Sequence, residues 1–184
     1  MNAQRRHVLL FTLAATLGGA YLGWKRSGPA TPIDPEALLK LARQAHGFSI
    51  NIGKQEIAAY VFFDPLCAHC ADVWRAANSE QVTQRTHWIP VAGRKASLDA
   101  VAAILASADP AKALASHEAS LLAGGPGIDS VADISSEVKG QIEGNRSLFA
   151  NSKIGRVPVV VRVDKPAVHI GSFDPAGLTS FLAG

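Results

Sequence analysis

The sequence predicts an α/β fold in which a helical insertion separates a half carrying a Cys-x-x-Cys from a half built on a proline-led β-hairpin. Three observations lead there. The apolar run Ile57–Phe63 has the length of a strand and runs directly into Asp64-Pro65-Leu66-Cys67-Ala68-His69-Cys70, followed by a helical pattern. The middle of the chain carries helical signals only. Near the end, Val157-Pro158-Val159-Val160-Val161-Arg162-Val163, the turn Asp164-Lys165-Pro166 and Ala167–Ile170 read as a hairpin.

In order along the chain, Asp34-Pro35 supplies an N-cap and a first-turn proline for a helix to Ala45, with Leu38, Leu39, Leu41 and Ala42 on its apolar face. Phe48–Ile52 is a short strand, Gly53-Lys54-Gln55 a turn, and Glu56–Phe63 the central strand. Val73, Trp74, Ala76 and Ala77 continue the helix after the cysteines, with Trp74 expected in the core. His87–Ala92 is apolar enough for another strand. The insertion begins with a helix over Leu98–Leu105, capped by Ser97. A second follows from Asp109-Pro110 to Leu122, stopped by Gly124-Gly125-Pro126-Gly127. A third runs from Ser135 toward Gly155 on the spacing Val138, Ile142, Leu148, Phe149. Asp174-Pro175 opens a last helix to Leu182.

The 184 residues suit one domain plus an appendage, and 48% hydrophobic with 18% charged residues describes a globular chain. The net charge of +3 misleads, because Arg5, Arg6, Lys25 and Arg26 sit at the N-terminus without an acidic neighbour. Set aside, they leave fourteen basic against fifteen acidic residues, so no basic face for nucleic acid is implied. Between the two basic pairs, Val8–Trp24 is uncharged and largely apolar. Residues 1–28 therefore read as a signal peptide or membrane anchor, residues 29–36 as a linker rich in proline, and residues 37–184 as the folded domain. Arg5-Arg6 matches the twin-arginine dipeptide of one export route, and export would place the cysteines in an oxidising compartment.

Cys67 and Cys70 are the only two cysteines. Their place at the junction of strand and helix matters, because the unpaired N–H groups and dipole of a helix start favour an anion. A thiolate at Cys67 would attack a partner's disulfide, and Cys70 would resolve the mixed disulfide. Other chemistries fit less well. A static disulfide closing so short a loop would stabilise weakly. Zinc needs a second Cys/His cluster, and haem attachment needs a His where Ala71 stands. A soft-metal site for Cu(I) on the two thiolates, with His69, stays open, although no methionine follows Met1 to assist it. No cofactor is implied. His46, His87, His117 and His169 are scattered and carry no assigned role.

The order of strand, Cys-x-x-Cys on a helix, helical section, Val-Pro, hairpin and final helix is the thioredoxin pattern. Within it, Phe62–Cys70 and Ala102-Ala103-Ile104-Leu105-Ala106-Ser107-Ala108-Asp109-Pro110-Ala111-Lys112 resemble the DsbG/DsbC disulfide-isomerase family, its DsbG branch most closely. The resemblance implies a thioredoxin-like fold and a periplasmic thiol–disulfide oxidoreductase acting on exported proteins with disulfides or oxidised cysteines. A membrane redox partner is expected with it. By position it assigns Cys67 as the exposed nucleophile, Cys70 as the resolving thiol and Pro158 as a cis-proline facing them. A proline opening a strand also leaves a neighbouring backbone group free to pair with an extended client.

The departures are specific. The family's N-terminal dimerisation domain has no counterpart between the leader and the first helix, so a monomer is expected. His69 stands where the family usually has Tyr, as in the oxidase DsbA. A cationic His beside a thiolate would stabilise the reduced form and so favour an oxidant. Val157 replaces the usual Thr and offers no hydroxyl to the sulfur. Val61 stands where thioredoxin and DsbA bury an acid, which leaves Asp64 as the neighbouring carboxylate.

Overall fold

The computed structural model describes residues 33–51, 53 and 56–184; the leader and most of the linker expected over residues 1–36 lie outside them. Eleven elements follow in order: α1 (Pro35–Ala42), β1 (Phe48–Ile50), β2 (Ile57–Phe63), α2 (Ala68–Ala77), β3 (Arg85–Pro90), α3 (Lys95–Ala106), α4 (Pro110–Leu122), α5 (Ser136–Asn151), β4 (Val159–Arg162), β5 (Ala167–Ile170) and α6 (Pro175–Ala183). Three helices start on Asp-Pro. Asp34, Asp109 and Asp174 each accept a hydrogen bond from a first-turn N–H, and the following proline gives up a donor that would have had no partner.

The strands form one sheet in the order β1-β3-β2-β4-β5, so β2 is central. It pairs parallel with β3 and antiparallel with β4, while β1 and β5 close the two edges in antiparallel pairs. The parallel β2/β3 pair requires a crossover, which α2 provides. Side chains along β2 alternate between two cores. Ala59, Val61 and Phe63 face the layer of Val73, Trp74, Leu178 and Leu182 from α2 and α6. Phe62 faces the other layer with Leu38, Leu39 and Ala42 of α1, and its ring lies 5.5 Å from that of Phe149 on α5. Trp74 is buried as expected, its ring edge-on to Trp88 at 4.9 Å.

Several boundaries differ from the sequence expectation: α1, β1 and β3 end earlier, at Ala42, Ile50 and Pro90, and two elements start earlier for physical reasons. Helix α3 starts at Lys95, with Arg94 rather than Ser97 at its N-cap. Starting there puts Ser97, Ala100, Val101 and Ile104 on one buried stripe, and that packing outweighs the capping preference of serine. Strand β3 starts at Arg85, because β2 pairs with Arg85 and both β1 and β2 pair with Thr86, as well as with residues beyond them. Nor is β4 an edge strand. It is flanked by β2 and β5, so any free backbone group of the proline segment lies ahead of the strand. Among the described residues, no helix is long and apolar enough to cross a membrane.

Candidate active site

The central strand ends at Phe63, and Asp64-Pro65-Leu66 turns the chain into α2. Asp64 organises that turn: its Oδ1 accepts from the Leu66 N–H at 2.8 Å, its Oδ2 from the Gly93 N–H at 3.4 Å, and its carbonyl from the Cys67 N–H at 3.0 Å. Cys67 is then the N-cap residue, in extended conformation, and its carbonyl accepts from the N–H groups of Cys70 and Ala71. Its side chain makes no capping bond. The sulfur therefore sits at the positive end of the helix, half-exposed, as a free thiol.

Cys70, one turn on, is also a free thiol but only 1% exposed. Burial pushes its pKa well above the usual thiol range. The Asp64 N–H, which donates to Cys70 Sγ at 3.4 Å, works against that, while the Cys67 hydrogen bond and the charges of Cys67 and Asp64 add to it. The two sulfurs thus differ sharply: one faces outward at a helix start and the other is a buried, protonated thiol.

The second half of the chain reaches the same place through sheet register. Phe62 pairs with Val159, so the segment ahead of β4 lies beside the turn that follows β2. The Val157–Pro158 peptide is cis. Cys67 Sγ donates to the Val157 carbonyl at 3.8 Å, and the Pro158 carbonyl accepts from the Gly171 N–H at 3.1 Å. The Val157 N–H has no partner among the described residues. Its side chain packs against both cores.

His69 is engaged by Ser172 and Asp72. The ring is largely exposed, with Nδ1 2.8 Å from Ser172 Oγ and 3.7 Å from Asp72 Oδ2. Ser172 donates to Asp72 at 3.1 Å, and with its one proton spent there it accepts from the His69 Nδ1–H. Asp72 also pairs with Arg75. The electrostatic role expected for His69 thus belongs to a ring engaged by Ser172 and Asp72. Ser172 lies about a hundred residues away in sequence.

Two residues of α4 that carry no sequence signal also belong here. His117 is 1% exposed, accepts the Ile128 N–H at Nδ1 (3.0 Å) and donates from Nε2 to the Pro65 carbonyl (3.1 Å). It thereby ties the insertion to the turn before Cys67. Burial holds its pKa below 6.5, against the opposing effect of the Pro65 carbonyl and the Asp64 charge. The next residue, Glu118, is 5% exposed and lines a cavity of about 270 Å³ beside Cys67, between α2 and α4.

No family model matches the chain. It is 32% identical over 119 residues to the thiol:disulfide interchange protein DsbG of Escherichia coli K12, a match covering 61% of this chain and 47% of that protein. The chain thus spans about half the length of the curated relative it matches. Among solved structures, the catalytic domain of Proteus mirabilis ScsC superposes with a TM-score of 0.62 at 16% identity, covering 81% of this chain and 96% of that one. The thiol-disulfide exchange protein alpha-DsbA2 of Wolbachia pipientis gives 0.59 at 17% identity, over 81% and 94% of the two chains. A periplasmic thioredoxin-like protein of Salmonella enterica serovar Typhimurium gives 0.60 at 14% identity, over 83% and 97%. The sheet order, the cysteine turn at the end of the central strand and these superpositions together establish that this chain has a thioredoxin-like fold.

Proposed function

We propose that the chain is an exported, DsbG-like thiol–disulfide oxidoreductase acting in the periplasm on cysteines of other exported proteins, with residues 1–28 as its signal or anchor and residues 37–184 as its catalytic domain. The observation that carries this reading is the asymmetric pair, a half-exposed Cys67 thiol at a helix start backed by a buried Cys70. The Cys67 thiolate attacks one sulfur of a client disulfide. That S–S bond breaks, the departing client thiolate takes a proton, and a Cys67–client disulfide forms. Cys70 then attacks Cys67 Sγ, passing its proton to the leaving client sulfur. Two electrons have moved to the client, and the chain holds a Cys67–Cys70 disulfide. A client sulfenic acid enters the same cycle by losing water to form the mixed disulfide. The reverse sequence oxidises a client dithiol. A membrane-bound redox partner is the expected source or sink of the electrons.

Val157 and Pro158 serve as the client-binding edge in this reading. The free Val157 N–H lies at the lip of the site, where an extended client segment can pair with it, and its side chain gives the client an apolar contact. His69, turned to Ser172 and Asp72, acts on charge at the site's rim. The soft-metal alternative is not favoured. One of its two sulfurs is a buried thiol, and its burial opposes the thiolate that a soft metal would need.

The test is Cys70→Ser in the full chain, expressed in its native host and analysed on non-reducing gels. Proteins are expected to accumulate in disulfide linkage to Cys67 and to disappear in Cys67→Ser/Cys70→Ser. A folded Cys70→Ser protein that captures no partner overturns the proposal.

A further inference from the structure

The cavity between α2 and α4 opens on the Cys67 sulfur, yet exchange between two cysteines makes no use of what lies at its base. Leu66, Ala68, Leu121 and Leu122 give it apolar walls around a volume of about 270 Å³. Glu118 faces into it, 95% removed from solvent, and among the described residues its carboxyl accepts no hydrogen bond. The carboxyl oxygens are not sealed in but meet the water of the cavity, so a client group that displaces this water has to bring a donor of its own. The other charged residues on this wall offset each other, since Arg75 is already paired with Asp72. Arg75, shared with Asp72, offsets the charge of Glu118 only in part.

We propose that this cavity is a specificity subsite that takes the aliphatic stem and cationic end of a lysine or arginine flanking the client's reacting cysteine, with Glu118 as the residue that reads the charge. The inference rests on the disulfide-exchange reading above. The walls suit methylenes, and the acid suits an ammonium or guanidinium that brings its own hydrogen-bond donors. A purely apolar client side chain would seal the carboxyl in without a partner. An acidic one would meet repulsion.

The selectivity depends on pH. Burial raises Glu118 to about 7, with Arg75 opposing the rise. Asp72 and Arg75 face it from α2 and the Cys67 thiol from the N-cap, whereas His117 on its own helix is turned to Pro65 and Ile128. Glu118 is charged above that value and neutral below it, so preference for a cation is present at higher pH and lost on acidification.

The experiment measures the rate at which the reduced full-length protein attacks peptide disulfides that differ only in the residue flanking the cysteine: Lys, Leu or Glu. At about pH 8 the Lys peptide is expected to react about tenfold faster than the Leu peptide, as befits a charge-assisted hydrogen bond in a dry site. The ratio should fall toward one at about pH 5.5, where the carboxyl is protonated. In Glu118→Gln the ratio should lie near one at both values. Should that variant not fold, the pH dependence of the wild-type ratio decides alone. Equal Lys and Leu rates at the higher pH overturn the subsite while leaving the exchange activity standing. No exchange with any peptide, from a folded protein whose reduced Cys67 still reacts with an alkylating reagent in a parallel sample, overturns both.

Discussion

Replacing His117 by Leu tests whether the helical insertion is fastened to the active-site turn by one neutral imidazole. The substitution keeps an apolar side chain of similar reach but removes both partners of the ring. The Pro65 carbonyl is left buried without a donor, at a cost of about 1–3 kcal/mol, while the Ile128 N–H, partly open to water, loses about 0.5–1 kcal/mol. The variant should therefore be less stable by about 2–3 kcal/mol. In urea unfolding with a slope of roughly 2 kcal/mol per M, that moves the midpoint down by about 1 M. The pH dependence separates this account from simple loss of packing. In the folded chain Nδ1 faces an N–H donor, so the ring must stay neutral; its pKa lies below the ordinary 6.5 chiefly because it is buried. Above 6.5 the neutral ring contributes its full stabilisation. As the pH falls below 6.5, the unfolded chain takes up a proton that the folded chain refuses, and the wild type loses stability until its folded pKa is passed. The Leu variant has no such group, so the gap between the two proteins should narrow on acidification. His87, which burial and the charge of Arg85 lower to about 4, titrates in both proteins and cancels. Equal midpoints at neutral pH, or a gap that stays constant down to about pH 5, would refute the assignment.

Two further substitutions test the packing around the site, with opposite signs. Asn145 is fully buried on α5, accepts the His46 N–H at 2.8 Å and donates to the carbonyls of His46 (2.8 Å) and Pro90 (3.0 Å). Asn145→Ala strands all three backbone groups and should cost about 2–4 kcal/mol in thermal or urea unfolding; a loss below about 0.5 kcal/mol would contradict the structure. Ser97 is also fully buried, but its Oγ has no partner. Ser97→Ala removes an unsatisfied hydroxyl at almost no cost in volume and should leave stability unchanged or raise it by up to about 1 kcal/mol; a lower melting temperature would count against that reading.

The parts of this fold that can be read from the chain are those set by neighbours in sequence. Ile57–Phe63 shows its strand through a dense apolar run, and the Asp-Pro pairs at residues 34, 109 and 174 mark helix starts because cap and proline act within one turn. The cysteine pair and Val157–Pro158 were legible for the same reason, with the family resemblance supplying their expected relation. What stayed hidden was decided across the fold. Ser97 has a cap's chemistry but sits on a stripe that packing claims for the interior. The direction of His69 is fixed by Ser172, which no local pattern links to it. His117 and Glu118 are adjacent in an ordinary helical stretch, and only the approach of α4 to the turn at Pro65 makes one a clamp and the other a cavity wall.

The pairing of Phe62 with Val159 has a wider consequence. Cys67 and Val157 are ninety residues apart, yet they meet because two adjacent strands deliver them, and none of the intervening helices has to span the distance. The strand register thereby sets where the two segments meet, and the insertion adds its own hold on the turn through His117 and Pro65. Loops between α3, α4 and α5 can lengthen without moving that meeting point, so long as the contact of His117 with Pro65 is kept.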